Sequence, residues 1–214
     1  MLQLYIDTQK NQLCRGNEVF DPWMLSWAAS DMAADGGDGG SSDRKNVTPE
    51  EAMGWLFATQ KVRQVPVAVI GAKEASPEEC EMAEELGRKL GEVGYALLTG
   101  GRTGVMEAAS RGASQSGGIV MGLLPGDEWE TANPYVTIPL ASGIGPTRNS
   151  IIARAARVLV AVGGGVGTIT EMAYGLHYDR PVFALPSAPE VPGVQRFQDV
   201  DTVMAEVAVA FLRG

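Results

Sequence analysis

Cysteine and histidine are scarce in this chain of 214 residues. The cysteines are Cys14 and Cys80, which lie far apart in the sequence, and His177 is the one histidine. Metal sites and disulfide frameworks need clustered cysteine or histidine ligands, such as a CxxC pair, and no such cluster is present. The sequence therefore predicts no structural zinc, no other metal site and no disulfide framework.

Long apolar runs and an excess of basic charge are also missing. No apolar run reaches the roughly 18 residues that a membrane span needs, and the N-terminus, MLQLYIDTQK, lacks a basic-then-apolar signal pattern. Seventeen basic against 26 acidic residues give a formal charge of -9, which repels polyanions. We expect a cytoplasmic protein without a membrane partner, and nucleic acid is a disfavoured partner.

The N-terminal part of the chain differs in composition from the rest. A short strand is predicted at residues 2–6, and residues 31–46 are polar, Gly/Ser-rich and aperiodic, which predicts a flexible loop. Thr48 followed by a proline and two glutamates predicts a capped helix start. We therefore predict an N-terminal extension over residues 1–60 and one main domain over residues 61–214.

Strands and helices are predicted to alternate from residue 65 onward. Apolar, β-branched runs that end in glycine or proline are each followed by residues at helical spacing. This pattern predicts an α/β fold with a doubly wound, Rossmann-like parallel sheet that has helices on both faces. The predicted strands are 65–70, 95–99, 119–124, 135–140, 157–162 and 181–185.

Two glycine-rich segments follow predicted strands, and each opens a helix. They are Gly100-Gly101-Arg102-Thr103-Gly104 and Gly163-Gly164-Gly165-Val166-Gly167-Thr168. Free backbone amides and the positive end of a helix dipole attract anions at such points, and glycine lets phosphate oxygens approach the backbone. Glycines that only form tight turns are the alternative. Two segments of this kind at strand ends predict one shared site for a phosphorylated ligand.

Neither glycine segment has the lysine of a P-loop or the acidic partner of a dinucleotide fingerprint, so ATP and NAD are second-rank ligands. Arg102 lies inside the first segment, and Arg148 follows another glycine-containing turn. Each guanidinium could bind a phosphate through two parallel hydrogen bonds, although a surface ion pair is the commoner fate of an arginine.

Glu171 has two interpretations. The spacing Thr168-x-x-Glu171 fits a capping box at the start of a helix. Alternatively, the Glu171 carboxylate could act as a general base, or stabilise positive charge on the sugar of a bound nucleotide. Spacing leaves both open.

The region from Val67 to Leu185 resembles the LONELY GUY (LOG) and lysine decarboxylase-like superfamily, whose Rossmann-like core is shared with DNA processing protein A. Within that superfamily it is most similar to the branch of the molybdenum cofactor carrier proteins. The matching residues are Gly100 to Glu107, Gly122 to Pro125, Asn133-Pro134-Tyr135, Arg148-Asn149 and Gly163 to Glu171.

The resemblance implies two functions. LOG enzymes are phosphoribohydrolases that release the base of a nucleoside 5'-monophosphate with an arginine and a glutamate, and Arg148 and Glu171 match those positions as catalytic residues. Gly163 replaces the proline of the LOG motif, and Asn149 stands where LOG enzymes usually have lysine. These departures favour the carrier branch, whose members bind an anionic pterin phosphate. The resemblance also implies a homodimer or homotetramer.

The first hypothesis is therefore a protein that binds a phosphorylated small molecule, a nucleotide or a pterin phosphate such as the molybdenum cofactor, with no other cofactor. The alternative is a phosphoribohydrolase, and single-strand DNA binding like that of DNA processing protein A ranks last because of the net charge. The predicted ligand-binding residues are Gly71, Gly100, Gly101, Arg102, Thr103, Gly104, Asn149, Gly163, Gly164, Gly165, Val166, Gly167 and Thr168.

Overall fold

The computed structural model describes residues 3–29 and 43–213. The chain divides into two compact units, Met1–Arg63 with Ala205–Gly214, and Gln64–Met204. The division into an N-terminal extension over residues 1–60 and one main domain over residues 61–214 stays a prediction.

The first unit contains an antiparallel sheet. In the part of the chain that the structure describes, this sheet has five strands in the order β4-β3-β2-β1-β5. The strand predicted at residues 2–6 corresponds to β1, whereas the loop predicted over 31–46 is wrong at its end, because Arg44 to Asn46 belong to β5. Residues 31–42 of that predicted loop lie outside the described residues. The strands are β1 (Leu4–Asp7), β2 (Gln12–Arg15), β3 (Glu18–Asp21), β4 (Ser26–Ala29) and β5 (Arg44–Val47).

Helix α1 (Pro49–Thr59) follows the sheet and begins where the sequence predicts. The Glu51 amide donates to the Thr48 Oγ1 at 3.2 Å, and the Thr48 amide donates to the Glu51 carboxylate at 2.8 Å. This reciprocal capping box satisfies two amides that the first helical turn leaves without a backbone partner. The predicted capping box of α1 is therefore confirmed.

The second unit contains the parallel sheet. Among the described residues this sheet has seven strands in the order β12-β11-β10-β6-β7-β8-β9, and all neighbours run parallel. The predicted doubly wound α/β fold is confirmed. The strands are β6 (Val67–Gly71), β7 (Leu97–Thr99), β8 (Val120–Leu124), β9 (Ile138–Ala141), β10 (Val158–Val162), β11 (Val182–Ala184) and β12 (Gln195–Arg196). The helices of this unit are α2 (Pro77–Val93), α3 (Val105–Gln115), α4 (Arg148–Ala155) and α5 (Val166–His177). The last helix, α6 (Val200–Leu212), begins in this unit, and its residues from Ala205 onward belong to the first unit.

The central strands β6 and β10 are the most apolar segments of the chain. All residues of β10 are buried, and Val67 to Ile70 of β6 are at most 1% exposed. Parallel strands covered by helices on both faces need continuous apolar sequence rather than alternation, which is what VLVAV and VAVI provide. The centre of the hydrophobic core therefore lies at β6 and β10, between α2, α3, α4 and α5.

The strand order reverses between β6 and β10. From β6 the chain proceeds through β7, β8 and β9 towards one edge, and it then returns to β10 on the other side of β6. In open α/β sheets, ligands bind in the crevice outside the carboxyl ends of the strands at such a reversal. The segments that follow β6, β7 and β10 meet at this crevice, and they include both glycine-rich segments.

Candidate functional site

The first glycine-rich segment, residues 100–104, connects β7 to α3. The Gly101 amide donates to the Thr99 Oγ1 at 3.0 Å, and the Thr103 hydroxyl donates to the Lys73 carbonyl at 3.2 Å. Gly101 has a φ of +71°, a backbone conformation that disfavours residues with a Cβ. The hydrogen bond to Lys73 therefore joins this segment, the first glycine loop, to the chain that follows β6. The two hydrogen bonds together hold the loop in one conformation.

Gly100 lies directly against the side chain of Arg148. A Cβ added to Gly100 would overlap the Arg148 guanidinium, with its Cζ at 2.9 Å. Glycine at this position thus lets a guanidinium from the start of α4 lie on the loop that follows β7. The structure brings the first glycine loop and Arg148 together, although they are far apart in the sequence.

Arg148 forms a buried ion pair with Glu171. Its Nη1 donates to the Glu171 Oε1 at 3.0 Å and to the Asn149 Oδ1 at 2.8 Å, and Arg148 and Glu171 are 8% and 7% exposed. The Arg148 Nε is buried and has no hydrogen-bond partner within the described residues. A buried donor without an acceptor costs free energy, and an anionic ligand at the site would supply the missing acceptor.

Burial changes the proton affinity of both members of this pair. Desolvation raises the pKa of the Glu171 carboxyl to about 7, although the charge and hydrogen bond of Arg148 act in the opposite direction. Desolvation also lowers the pKa of the Arg148 guanidinium, while Glu171 raises it. A carboxyl that titrates near neutral pH beside a guanidinium is able to exchange a proton with a bound ligand.

The second glycine-rich segment connects β10 to α5. Gly163 and Gly164 have φ values of +55° and +119°, and α5 begins at Val166 with Gly165 as its N-cap. A Cβ on Gly163 would overlap the carboxylate of Glu79, including its Cδ atom. The amides of Gly165, Val166 and Gly167 stand at the N-terminus of α5, where helix geometry leaves them without backbone partners and where anions are favoured.

Of the two interpretations of Glu171, the capping box with Thr168 is wrong. Both residues lie inside α5, no side chain caps the helix at Gly165, and Glu171 faces Arg148 instead. Thr168 is 3% exposed and lies against Gly164, where a Cβ would overlap its side chain. The helix begins before Thr168 because Gly164 and Gly165 complete the turn out of β10.

Asn149 links α4 to the first turn of α5. Its Nδ2 donates to the Thr170 Oγ1 at 3.1 Å and more weakly to the Gly167 carbonyl at 3.4 Å, while its Oδ1 accepts from Arg148. Asn149, predicted as a ligand-binding residue, thus orients Arg148 and the second loop. Thr170 was missed by the sequence analysis, and its place within the Gly163 to Glu171 motif was the signal for it.

Arg102 projects from the first glycine loop and is partly buried. Its charge lowers the pKa of Arg148, so the two guanidinium groups lie close enough to raise the local positive potential. No carboxylate in the described ranges lies within ion-pair distance of Arg102. The Asn133 side chain, which the sequence analysis did not assign to the site, holds the Arg102 carbonyl at 3.0 Å.

Gly71 has a packing role in the structure. A Cβ on Gly71 would overlap the Val162 carbonyl and the Val105 side chain, with the Val105 Cγ1 at 2.6 Å. Its small size lets the ends of β6 and β10 and the start of α3 approach one another. Gly71 therefore contributes to the shape of the crevice through this close packing.

In residues 3–29 and 43–213, no group of three or more His, Cys, Asp or Glu side chains is arranged to hold a metal ion. No helix in the same ranges is long and apolar enough to cross a membrane.

Comparisons with known proteins match the second unit. The model of the SLOG cluster4 family matches residues 64–210. The molybdenum cofactor binding protein from the phototrophic bacterium Rippkaea orientalis has a solved structure with a TM-score of 0.66 and 29% sequence identity, covering 70% of this chain and 98% of that one. The molybdenum cofactor carrier protein from Chlamydomonas reinhardtii has a TM-score of 0.63 and 35% identity, covering 69% of this chain and 99% of that one.

A more distant structure shares the fold. DNA processing protein A from Streptococcus pneumoniae has a TM-score of 0.54 and 20% identity, covering 66% of this chain and 61% of that one. At this identity the likeness concerns the fold, and it says nothing about DNA binding by this chain.

Proposed function

Because the chain belongs to the SLOG cluster4 family, we propose that it binds a phosphorylated small molecule, a nucleotide or a pterin phosphate, between its two glycine-rich loops. The observation that carries this proposal is the Arg148 guanidinium. It is buried against Gly100, and its Nε has no acceptor among the described residues. A phosphate oxygen is the acceptor that this donor fits best, because guanidinium groups bind phosphate through paired, charge-assisted hydrogen bonds.

The remaining residues of the site are suited to the same anion. The N-terminus of α5 offers the amides of Gly165, Val166 and Gly167 together with the positive end of the helix dipole. Arg102 adds a second guanidinium without an ion-pair partner in the described chain. We propose that the phosphate binds at the α5 N-terminus and that Arg102 and Arg148 neutralise its charge.

The molybdenum cofactor is the candidate cargo suggested by the two structural relatives, a molybdenum cofactor binding protein and a molybdenum cofactor carrier protein. It is an anionic pterin phosphate, and the donor set of this site, guanidinium groups and backbone amides, fits its phosphate. The second unit would then hold the cargo by its phosphate and release it unchanged.

Hydrolysis of a nucleoside 5'-monophosphate is the second candidate function. It is favoured by the buried Glu171 carboxyl, whose pKa near 7 suits a general acid or base at neutral pH. In this function Arg148 would orient the phosphosugar, and Glu171 would stabilise positive charge on the ribose as the base departs.

We further propose that the protein is a homodimer or homotetramer. Large apolar side chains on α4 and α5 are exposed next to the second loop, namely Ile151 at 44%, Val166 at 79%, Ile169 at 40% and Tyr174 at 38%. A cluster of exposed apolar side chains on neighbouring helices commonly marks a subunit interface, and two-fold symmetric dimers are the commonest assembly.

A panel of phosphorylated ligands tests the proposed function. The purified protein is mixed with nucleoside 5'-monophosphates and with neopterin phosphate, and thermal stabilisation is recorded together with release of free base and ribose 5-phosphate. We expect stabilisation without base release. Base release that disappears in Glu171→Gln would support the hydrolase instead. Absence of both stabilisation and base release with every ligand would contradict both functions.

A further inference from the structure

An exposed tryptophan lies on the segment that connects β8 to β9. Trp129 begins a single 3-10 turn, Trp129–Thr131, and it is 59% exposed. Burying an indole ring yields a large gain in free energy, so an exposed tryptophan beside a ligand site can contribute strongly to binding. Asp127, Glu128 and Glu130 around it are exposed and acidic.

The bridging segment, which we define as residues 126–133, is anchored at both ends to the loops of the proposed site. At its start the Gly126 carbonyl accepts from the Gly143 amide at 2.9 Å, and Gly143 lies in the turn that leads into Arg148. At its end the Asn133 amide donates to the Gly101 carbonyl at 2.9 Å, and the Asn133 Nδ2 donates to the Arg102 carbonyl at 3.0 Å. The bridging segment therefore spans from the Arg148 side of the site to the Arg102 side.

All these anchor points lie at one edge of the sheet. The strands β7, β8 and β9 run parallel, so the segments that follow them emerge together at the carboxyl edge, beside the two glycine loops. Trp129 lies in the middle of the bridging segment, between its two anchors. The guanidinium groups of Arg102 and Arg148 attract a phosphate, whereas the acidic residues next to Trp129 repel one, so a phosphate is favoured beside the arginines and disfavoured beside Trp129.

We propose, on the basis of the proposed phosphate site, that Trp129 is a ligand-binding residue whose indole stacks on the planar nitrogen heterocycle of the phosphorylated ligand. The ligand class is then a purine or pterin joined to a phosphate, rather than a sugar phosphate alone. Stacking on an aromatic side chain suits any such ring, because every base has a π-face. The acidic neighbours favour rings that carry amino or imino N–H donors over a second phosphate.

The test compares ligands with and without a ring. Affinities of GMP, neopterin phosphate and ribose 5-phosphate are measured by calorimetry for the wild-type protein and for Trp129→Ala, Trp129→Phe and Trp23→Ala. Trp23→Ala is the matched control, because Trp23 is also an exposed tryptophan, at 44%, but belongs to the first unit.

We expect at least one ring-bearing ligand to bind the wild-type protein more tightly than ribose 5-phosphate. Trp129→Ala should lower that affinity roughly tenfold, or about 1.4 kcal/mol, because the stacking of the ring on the indole is lost. Trp129→Phe should keep most of the affinity, Trp23→Ala should change nothing, and ribose 5-phosphate should bind every variant equally.

Three results would overturn the inference while leaving the phosphate site intact. They are equal wild-type affinities for all three ligands, an undiminished affinity for the ring-bearing ligands in Trp129→Ala, and a change of oligomeric state in that variant, which would make Trp129 an interface residue. If none of the three ligands, ribose 5-phosphate included, binds the wild-type protein, the proposed function itself fails, and the role of Trp129 fails with it.

Discussion

At the residue scale, Arg148 and Glu171 form a buried ion pair in the candidate site. Removing two charges from water is costly, and the cost is repaid only when each charge keeps a partner. Arg148 has Glu171 and Asn149 as partners for its Nη1, but its Nε lacks one among the described residues. A buried hydrogen-bond donor without an acceptor is typical of a site in which the ligand supplies that acceptor.

Stability should depend on pH through Glu171. Its carboxyl has a pKa of about 7 in the folded protein against an ordinary value of 4.5, so the folded state holds a proton that the unfolded chain releases between these values. The free energy of unfolding should therefore fall as pH rises from about 4.5 to about 7. The contribution of this carboxyl is fully present below pH 4.5 and lost above pH 7.

Urea unfolding of the wild type and of Glu171→Gln across this pH range measures that dependence. Glutamine does not titrate, so the stability of the wild type relative to Glu171→Gln should fall by on the order of 1 to 3 kcal/mol from pH 4.5 to pH 7.5. Parallel stability curves for the two proteins would show that the Glu171 pKa is not raised.

The sequence indicated which residues could form this site, but not their contacts. Arg148 and Glu171 were predicted as a catalytic pair from the resemblance, and the structure places them in direct contact. Their mutual burial depends on the packing of α4 against α5, which residue spacing does not reveal. The spacing instead suggested a capping box at Thr168, because that pattern is local and Gly165 as the true N-cap leaves no side-chain signal.

At the element scale, the sheet of the second unit followed from the sequence. Its central strands β6 and β10 are buried and form continuous apolar runs between helices, which sequence patterns reveal. The first unit was less predictable, because its strands mix polar and apolar residues, and because β1 pairs with β5 through Leu4 and Val47, which lie far apart along the chain. Strand β12 was missed because its two residues, Gln195 and Arg196, are polar and exposed.

Helices α2 and α3 pack closely through glycine. A Cβ on Gly112 of α3 would overlap the Glu84 carbonyl of α2 and lie 2.8 Å from the Arg88 amide. Gly112→Ala should therefore force the helices apart and lower the free energy of unfolding by about 1 to 3 kcal/mol, the usual cost of overpacking.

Gly54→Ala in α1 is the matched control for this substitution. A Cβ at Gly54 meets no atom within 4 Å, so alanine should raise the stability by up to about 1 kcal/mol through helix propensity alone. Chemical denaturation of both variants gives the comparison. A Gly112→Ala protein as stable as the wild type would contradict the close packing of α2 and α3.

At the scale of the whole molecule, the family resemblance read from the motifs is confirmed by the family match over residues 64–210 and by the cofactor-binding structural relatives. Residues 1–63 lie outside that match. Motifs reveal a family because they combine several positions at once, whereas the first unit offered no motif to compare.

If the protein is an oligomer, a charge introduced on the exposed face of α5 should weaken the association of its subunits. The wild-type protein should elute as a dimer or tetramer in size-exclusion chromatography with light scattering. Val166→Asp should shift it towards the monomer, because an aspartate buried at an apolar interface loses its hydration without gaining a partner. Ile119→Asp is the control, since Ile119 is 44% exposed at the opposite, amino-terminal edge of the sheet. A monomeric wild type would contradict the proposed assembly.

Binding of ribose 5-phosphate to Arg148 variants tests the phosphate site most directly. Calorimetry is performed on the wild type, on Arg148→Ala and on Arg154→Ala, an exposed arginine in the same helix, with circular dichroism to confirm folding. We predict that the wild type binds, that Arg148→Ala binds at least about tenfold more weakly because a charge-assisted pair is lost, and that Arg154→Ala binds like the wild type. Equal affinity of a folded Arg148→Ala protein would contradict the assignment of the phosphate to this site.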